Sequence, residues 1–315
     1  MSKRFPFPIP TGWFQVAWSE DVAPGQAKAA EYFGKKLAIF RGEDGVVRVM
    51  DAICPHLGGH LGFGKVRENQ LACPIHGWTF DGDGHCRHIP YSARAPRQAQ
   101  VRSWPVVERN GLILVWHAAD GEDPRFEVPT LAEYGNPDWT PYQKRSWVIK
   151  SCSQELGENA VDSAHFVGVH NFSEMPQTKA SQEGHHFQAV SEGLIETAAG
   201  SAEGVLAVHM VGMGFVTTRF TGIVETLLIG SSTPIDADHI ELRFSFTVNI
   251  SNGFPPEIGE LFIAEVERTL LEDIPIWENK AYLERPLLCE GDGPIGLYRS
   301  WVRQFYPKGE GMEAA

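Results

Sequence analysis

Two kinds of hydrophobic patterning divide the chain. From about residue 12 to 118, short apolar runs alternate with glycine-bearing turns. Leu37-Ala38-Ile39-Phe40 and Val46-Val47-Arg48-Val49 flank Gly42-Glu43-Asp44-Gly45, the pattern of a β-hairpin. Val106-Val107 and Leu112-Ile113-Leu114-Val115-Trp116 flank Asn110-Gly111, a second hairpin signal. The polar, proline-containing stretch from Ala118 to Pro141 has the composition of a linker or long loop. Beyond it, residues 152–168 look helical and roughly 185–250 is rich in strand signals, including the runs 222–226 and 242–248. Ile258, Leu261, Phe262, Ala264, Val266 and Leu270 recur at helical spacing within 256–284, just after Pro255-Pro256, and proline suits a first helical turn. Strands first and helix last are an α+β signature. The expected organisation is an all-β domain over 1–118 and a mixed domain over 119–315, without internal repeats or low-complexity segments.

Composition narrows the function classes. A chain of 315 residues suits two domains and a sizeable core. Hydrophobic residues at 43% and charged residues at 21% are ordinary for a globular protein. With 27 Lys and Arg against 40 Asp and Glu, the net charge of −13 argues against nucleic acid and suits docking of a basic electron-transfer partner. Pro6, Pro8 and Pro10 interrupt any apolar run at the start, so no signal peptide is expected. The longest apolar stretch, around Leu112 to Trp116, is too short for a membrane span. Five cysteines do not suggest a disulfide framework, and a cytoplasmic location is expected.

Two constellations carry chemistry. In the first, Cys54-Pro55-His56 precedes Cys73-Pro74-Ile75-His76 by sixteen residues, each in a loop rich in Gly and Pro. Two thiolates and two imidazoles suit zinc or iron–sulfur. Zinc sites usually pair like with like, whereas each half here is Cys then His, which suits a cluster with two Cys on one iron and two His on the other. Cys86 has no partner at ligand spacing and reads as a small buried hydrophobe. His60, His85 and His88 read as surface or hydrogen-bonding residues.

The second constellation runs from Glu158 to His170, E-N-A-V-D-S-A-H-F-V-G-V-H. On a helix Asp162 and His165 share a face. His170 lies five residues beyond His165, roughly 500° around at about 3.6 residues per turn, so both can meet one metal only if the helix distorts or ends near Gly168. Two imidazoles and a carboxylate form the facial triad suited to Fe(II) and O2. The carboxylate is either Asp162 or Asp273, which lies in L-E-D-I-P-I-W-E-N-K on the expected C-terminal helix. Against Asp273 stands its bland alternative, one solvated carboxylate among Glu265, Glu267, Glu272 and Glu278.

Together the motifs C-x-H-x16-C-x2-H and E-N-x-x-D-x-x-H-x4-H, in this order, resemble those of the Rieske non-haem iron oxygenases, over most of the chain. The resemblance implies an N-terminal Rieske domain with a 2Fe-2S cluster and a C-terminal helix-grip (START-like) catalytic domain with mononuclear iron. It implies that Cys54 and Cys73 hold one cluster iron and His56 and His76 the other. His165, His170 and Asp273 would hold the mononuclear iron, and Asn159 and Asp162 would be catalytic residues. Asp162 would then bridge the centres of neighbouring subunits in a head-to-tail ring, typically a homotrimer, where a buried carboxylate can orient metal-bound histidines. The segments D-G-D-G-H-C-R-H-I-P-Y and I-P-I-W-E-N-K are similar to those of the 3-ketosteroid 9α-hydroxylase and sterol-oxidising group.

The implied activity is a terminal monooxygenase reaction, O2-dependent hydroxylation of a hydrophobic polycyclic substrate such as a steroid. Electrons would come from an NAD(P)H-dependent reductase, with or without a ferredoxin. Oxidative O- or N-demethylation of a smaller aromatic compound is the alternative within the class. An electron carrier, or a START-like lipid-binding module with structural zinc, are the alternatives outside it. Met210, Met213, Phe215 and Phe220 are candidates for lining a large apolar pocket or for plain core. Gly291-Asp292-Gly293-Pro294-Ile295-Gly296 matches a dinucleotide-binding pattern but follows a helix and opens no βαβ unit. Asn171-Phe172-Ser173 is only a formal glycosylation sequon.

Overall fold

The structure, a computed structural model, describes residues 4–307 except 171, 198–199, 223, 252, 254–255 and 290. Asn171 of the sequon, Ile223 and Pro255 therefore lie outside the described residues. The chain forms two compact units. One runs from Trp13 to Glu127, and the other joins the stretch ending at Gly12 to Val128 and everything after it. The segment 118–127 thus belongs with the first unit and the N-terminal segment with the second.

In the first unit three small antiparallel sheets carry eleven strands. They are β1 (Gly12–Trp18), β2 (Ala27–Tyr32), β3 (Lys35–Arg41), β4 (Val47–Asp51), β5 (Lys65–Arg67) and β6 (Gln70–Ala72), then β7 (Thr79–Phe80), β8 (Cys86–His88), β9 (Ser103–Trp104), β10 (Val106–Arg109) and β11 (Leu112–His117). Their orders are β1-β11-β10, β2-β3-β4-β9 and β5-β6-β7-β8. Both expected hairpins are present, as β3–β4 and β10–β11. All six residues of β11 are buried, as an apolar run packed on both faces requires. The fourth strand and the β6–β7 connection deliver the two Cys/His loops.

The second unit is α+β. Its elements are β12 (Gln143–Ile149), α1 (Ser153–Glu158), α2 (Ala164–Gly168), β13 (Gln177–Glu183), β14 (His186–Thr197) and β15 (Gly200–Val211). They continue with β16 (Phe215–Thr221), β17 (Thr226–Pro234), β18 (Ile240–Val248), α3 (Pro256–Asn279) and α4 (Ile295–Val302). The seven strands form one antiparallel sheet in the order β12-β18-β17-β16-β15-β14-β13. Alternation brings one face of it to the long helix α3. Ile263 packs with Leu228, Phe246 and Val248, whereas Leu270 and Trp277 pack with Ile149, Ile240 and Leu242.

Two local expectations change. Of the described residues in the run 222–226, Gly222, Val224 and Glu225 precede β17 and Thr226 opens it. The helix expected over 152–168 is interrupted between Glu158 and Ala164. Ala160 and Val161 donate to the carbonyls of Gly157 and Glu158, three residues back, which tightens and ends the first helix. Fully buried Val161 then redirects the chain.

Charged groups clamp these helices from behind. Arg299 on α4 grips Glu158 at the end of α1 through two contacts, Nε–Oε2 at 2.6 Å and Nη2–Oε1 at 3.0 Å. Lys280, just past α3, pairs with buried Glu155 at 2.7 Å. Arg4 donates to the carbonyls of Trp277 and Lys280, satisfying acceptors that the end of α3 leaves free. Removing one partner of a buried ion pair strands the other charge, at a cost of about 3–5 kcal/mol. Arg299→Met is therefore expected to destabilise the second unit by roughly 3 kcal/mol, and a thermal or urea melt unchanged from wild type would contradict the clamp.

Candidate metal centres

The two Cys/His loops are built on one plan. Cys54 N–H donates to Gly59 O and Gly58 N–H to Cys54 O, at 2.8 and 3.0 Å. Cys73 N–H donates to Trp78 O and Gly77 N–H to Cys73 O, again at 2.8 and 3.0 Å. Gly58 and Gly77 both take φ of 75°, a left-handed turn position that disfavours a side chain. Each loop thus presents a buried cysteine and a half-buried histidine, with the histidine rings 4.6 Å apart. His56 stacks on Trp78, whose indole N–H donates to the Tyr91 hydroxyl at 2.8 Å.

This donor set fits a cluster better than a single ion. His56 Nδ1 is buried without a hydrogen-bond partner, which is costly unless something binds it. A Cβ on Gly59 would lie 2.7 Å from Cys73 Sγ, so the space beside that sulfur is kept clear of side chain. Each half pairs one thiolate with one imidazole, which suits a cluster with two Cys on one iron and two His on the other rather than a zinc ion. Burial pushes the Cys54 thiol up to about 11, so ligation there must displace a proton. Cys86 is buried and its thiol faces the carbonyl of His88. His60 accepts from Gly62 N–H at 3.1 Å, and His85 and His88 are exposed.

In the second unit His165, His170 and Asp273 converge, with one donor atom from each within 4.8 Å of the others. The break after α1 and the end of α2 at Gly168 solve the angular problem that a regular helix would pose. His170 Nε2 lies 3.4 Å from Asp273 Oδ1. The Asn159 amide stands between the other two, 3.2 Å from both His165 Nε2 and Asp273 Oδ2. Asp162 is not in this group; it gives its backbone carbonyl to His165 Nδ1. His170 Nδ1 is bound instead by Glu272 Oε2 at 2.9 Å. With Nδ1 donating to the Asp162 carbonyl, the Nε2 lone pair of His165 faces the site, and His170 turns its Nε2 to Asp273.

Electrostatics also favour a cation here. Burial lowers the basicity of His165, which keeps its imidazole neutral and able to coordinate. Burial acts the same way on His170, but its hydrogen bonds to Asp273 and Glu272 outweigh it and raise that histidine. The two carboxylates thus attract positive charge to the place where a metal would stand. Sequence reasoning missed Glu272, which it grouped with solvated helix carboxylates. The available signal was its position: neighbours on a helix diverge by about 100°, so Glu272 can approach His170 from the side opposite to Asp273.

The three donors stand at the wall of a cavity of about 220 Å³ between sheet and helix. Leu206, Val208, Met210, Val216, Leu228 and Phe244 line the sheet side, and Leu156, Val266, Leu270 and Trp277 the helical side. Met213 also lines it, but Phe215 is buried outside the lining and Phe220 packs against Phe262 at 5.2 Å. Gly291–Gly296 leads into α4 without a preceding strand, and a Cβ on Gly293 would meet the Val161 carbonyl at 2.0 Å. That glycine packs against the break between α1 and α2. Among the described residues no helix is long and apolar enough to cross a membrane.

Comparison with known proteins bears on both units. A model of the Rieske 2Fe-2S domain matches residues 12–105, and one of the 3-ketosteroid 9alpha-hydroxylase C-terminal domain matches 115–306. A probable 3-ketosteroid-9-alpha-monooxygenase oxygenase component from Rhodococcus rhodochrous is 34% identical over 94% of this chain and 79% of its own length. Cholesterol 7-desaturase nvd 1 of Ciona intestinalis is 31% identical over 95% of this chain and 69% of its own. Dicamba monooxygenase bound to dicamba shares the fold with a TM-score of 0.78, at 20% identity over 96% of this chain and 97% of that one. NdmA of Pseudomonas putida CBB5 with caffeine also has a TM-score of 0.78, at 21% identity over 92% and 89%.

Loss of the hydrogen bond behind a ligating histidine typically weakens metal affinity about 10–100-fold. Glu272→Ala is therefore expected to weaken Fe(II) binding at the second centre by roughly that factor, with the visible spectrum of the first centre unchanged. Anaerobic Fe(II) titration of the variant checks this, and wild-type affinity would remove Glu272 from the site.

Proposed function

Because the chain belongs to the 3-ketosteroid 9α-hydroxylase family of Rieske oxygenases, we propose that it is the terminal oxygenase of a multicomponent system acting on a steroid or sterol. A 2Fe-2S Rieske cluster and a mononuclear iron are its cofactors. In our reading Cys54 and Cys73 hold one cluster iron, His56 and His76 the other, and His165, His170 and Asp273 the mononuclear iron. When bound, these groups supply one-electron transfer and open coordination positions for O2. The observation that carries the proposal is the convergence of three metal donors at the wall of a large apolar cavity. An electron carrier would need only the first unit, and a lipid-binding module has no use for three converging donors.

The residues divide the work. Asp162 and Glu272 fix the histidine rings from behind, and the Asn159 amide links Asp273 Oδ2 to His165 Nε2. Apolar walls exclude water and orient a hydrophobic skeleton toward the donors. In hydroxylation one oxygen atom of O2 enters a C–H bond and the other leaves as water, with two electrons and two protons from outside. We assign the electrons to an NAD(P)H-dependent reductase, acting directly or through a ferredoxin. Sequence likeness across nearly the whole chain supports a steroid or sterol substrate over demethylation of a smaller aromatic.

A homotrimeric ring with Asp162 at the subunit contact completes the reading. In its support, the Asp162 side chain is half-buried yet makes no hydrogen bond among the described residues, while its carbonyl holds His165. A carboxylate so placed can accept from a metal-bound histidine of a neighbouring copy. A reducing compartment such as the cytoplasm suits five free cysteines.

Turnover of 3-ketosteroids and sterols under isotopically labelled O2, with a surrogate reductase and mass spectrometry, tests the substrate. One labelled oxygen in the steroid is expected; demethylation of methoxy- or N-methyl aromatics with every steroid unchanged would discard the steroid reading while keeping the oxygenase. For the bridge, Asp162→Ala is expected to keep both metals and lose most single-turnover activity. An unimpaired single-turnover rate in that variant would sink it.

A further inference from the structure

The cavity that receives the substrate has more hydroxyl groups than its apolar character suggests, and nearly all of them are already committed. Ser153 donates to Ser232 O at 3.0 Å, Ser231 to Gly214 O at 2.9 Å, Ser232 to Met213 O at 3.4 Å and Thr269 to Val266 O at 2.9 Å. The Tyr298 hydroxyl donates to Gln154 O at 3.1 Å. Each of these can accept from a ligand but has spent its proton on the backbone. Thr218 is the exception: it lines the cavity from β16, and among the described residues its hydroxyl has no hydrogen-bond partner. The indole N–H of Trp277 is the other uncommitted lining donor among the described residues. It stands four residues from Asp273 on α3, one turn away and therefore at the metal-binding end.

Register places Thr218 toward the other end. It pairs with Val208 on one side and Leu228 on the other, and Leu228 pairs with Phe246, so its hydroxyl is a single polar point in an apolar row. Ile263 of α3 packs at this row, ten residues before Asp273, about 15 Å by helical rise. Along β18, Phe246 in the same row is four residues from Leu242, which packs at the Leu270–Trp277 end, about 13 Å away. The two rulers agree. Beyond Thr218 on the same strand, Phe220 meets Phe262 edge to face at 5.2 Å.

We infer that Thr218 is the polar anchor of the substrate site, donating its hydroxyl proton to an oxygen at the end of an elongated fused-ring ligand remote from the carbon that is oxidised. This rests on the steroid or sterol reading and deepens it. A ketone can only accept a hydrogen bond, and Thr218 is the lining group at that distance with a proton to give. Specificity follows from chemistry: an apolar wall with one donor favours a rigid skeleton with one terminal acceptor over a hydrocarbon of the same shape.

The test uses a 3,17-diketosteroid and its two analogues, each lacking one terminal oxygen, with binding to the holoenzyme measured by equilibrium dialysis. Thr218→Val, which keeps the shape and removes the hydroxyl, is expected to weaken the diketone and one analogue by about tenfold and to leave the other analogue unchanged. Thr218→Ser should restore binding, melting temperatures should match wild type, and turnover of the diketone by the Val variant should show raised KM with kcat retained. Equal weakening of all three ligands, or no weakening, overturns the anchor while leaving the steroid reading intact. Failure of all three to bind the wild type overturns the steroid reading and the anchor with it.

Discussion

The second unit is organised around an arrangement that repels itself. Two imidazole nitrogens and a carboxylate oxygen are held within 4.8 Å of one another in a largely buried place. Without a cation between them such acceptors would separate or take up protons, because burying unpaired charge is costly. The surrounding structure prevents the separation, while Asp273 and Glu272 together hold His170 above its ordinary basicity. Backbone oxygen of Asp162 and the carboxylate of Glu272 fix the histidines from behind, and the Asn159 amide stands between His165 and Asp273. The supporting helices are in turn clamped by Arg299 on Glu158, Lys280 on Glu155 and Arg4 on the end of α3. Pre-organisation is thus supplied by ion pairs and caps at the back of the site, away from the cavity.

The two centres differ in how far along the chain their parts are gathered. Each Cys/His loop closes on itself through hydrogen bonds spanning four or five residues, and the two loops come from neighbouring segments of one β-domain. Such a site can form as soon as its local sheet forms. Asp273 is 108 residues from His165 in sequence, and their meeting requires that α3 be laid on the completed sheet. Metal binding at the second site would therefore be a readout of tertiary structure, whereas binding at the first would be mainly a readout of local structure.

That difference explains what was legible in the sequence. The alternation around Asn110-Gly111 and the 3.6-residue recurrence from Ile258 to Leu270 record local preferences, and both hairpins and the long helix form where those patterns lie. The loop motifs are legible for the same reason. Angular reasoning on His165 and His170 was enough to require a disrupted helix near Gly168, although the larger break falls earlier, after Glu158, because Val161 is buried there. Between Asp162 and Asp273, spacing alone could not choose. Residues 3 and 108 positions from His165 can equally supply an oxygen, and only the packing of α3 separates them. Glu272 was hidden for a related reason: on a helix face with several acids, nothing local distinguishes the one that turns toward His170.

The cavity carries the same lesson into chemistry. Counting Ser and Thr along the lining strands and helices would make it moderately polar, since five such residues face it. Yet a hydroxyl that donates to a nearby carbonyl shows a ligand only its lone pairs, and most of these do so. What a ligand meets is an apolar chamber that accepts hydrogen bonds at several places and donates them at very few. The polarity of a binding site is set by which protons remain uncommitted after the backbone has been satisfied. That condition is invisible to composition and to periodicity, and it discriminates between an acceptor such as a ketone and a bare hydrocarbon more sharply than the shape of the walls can.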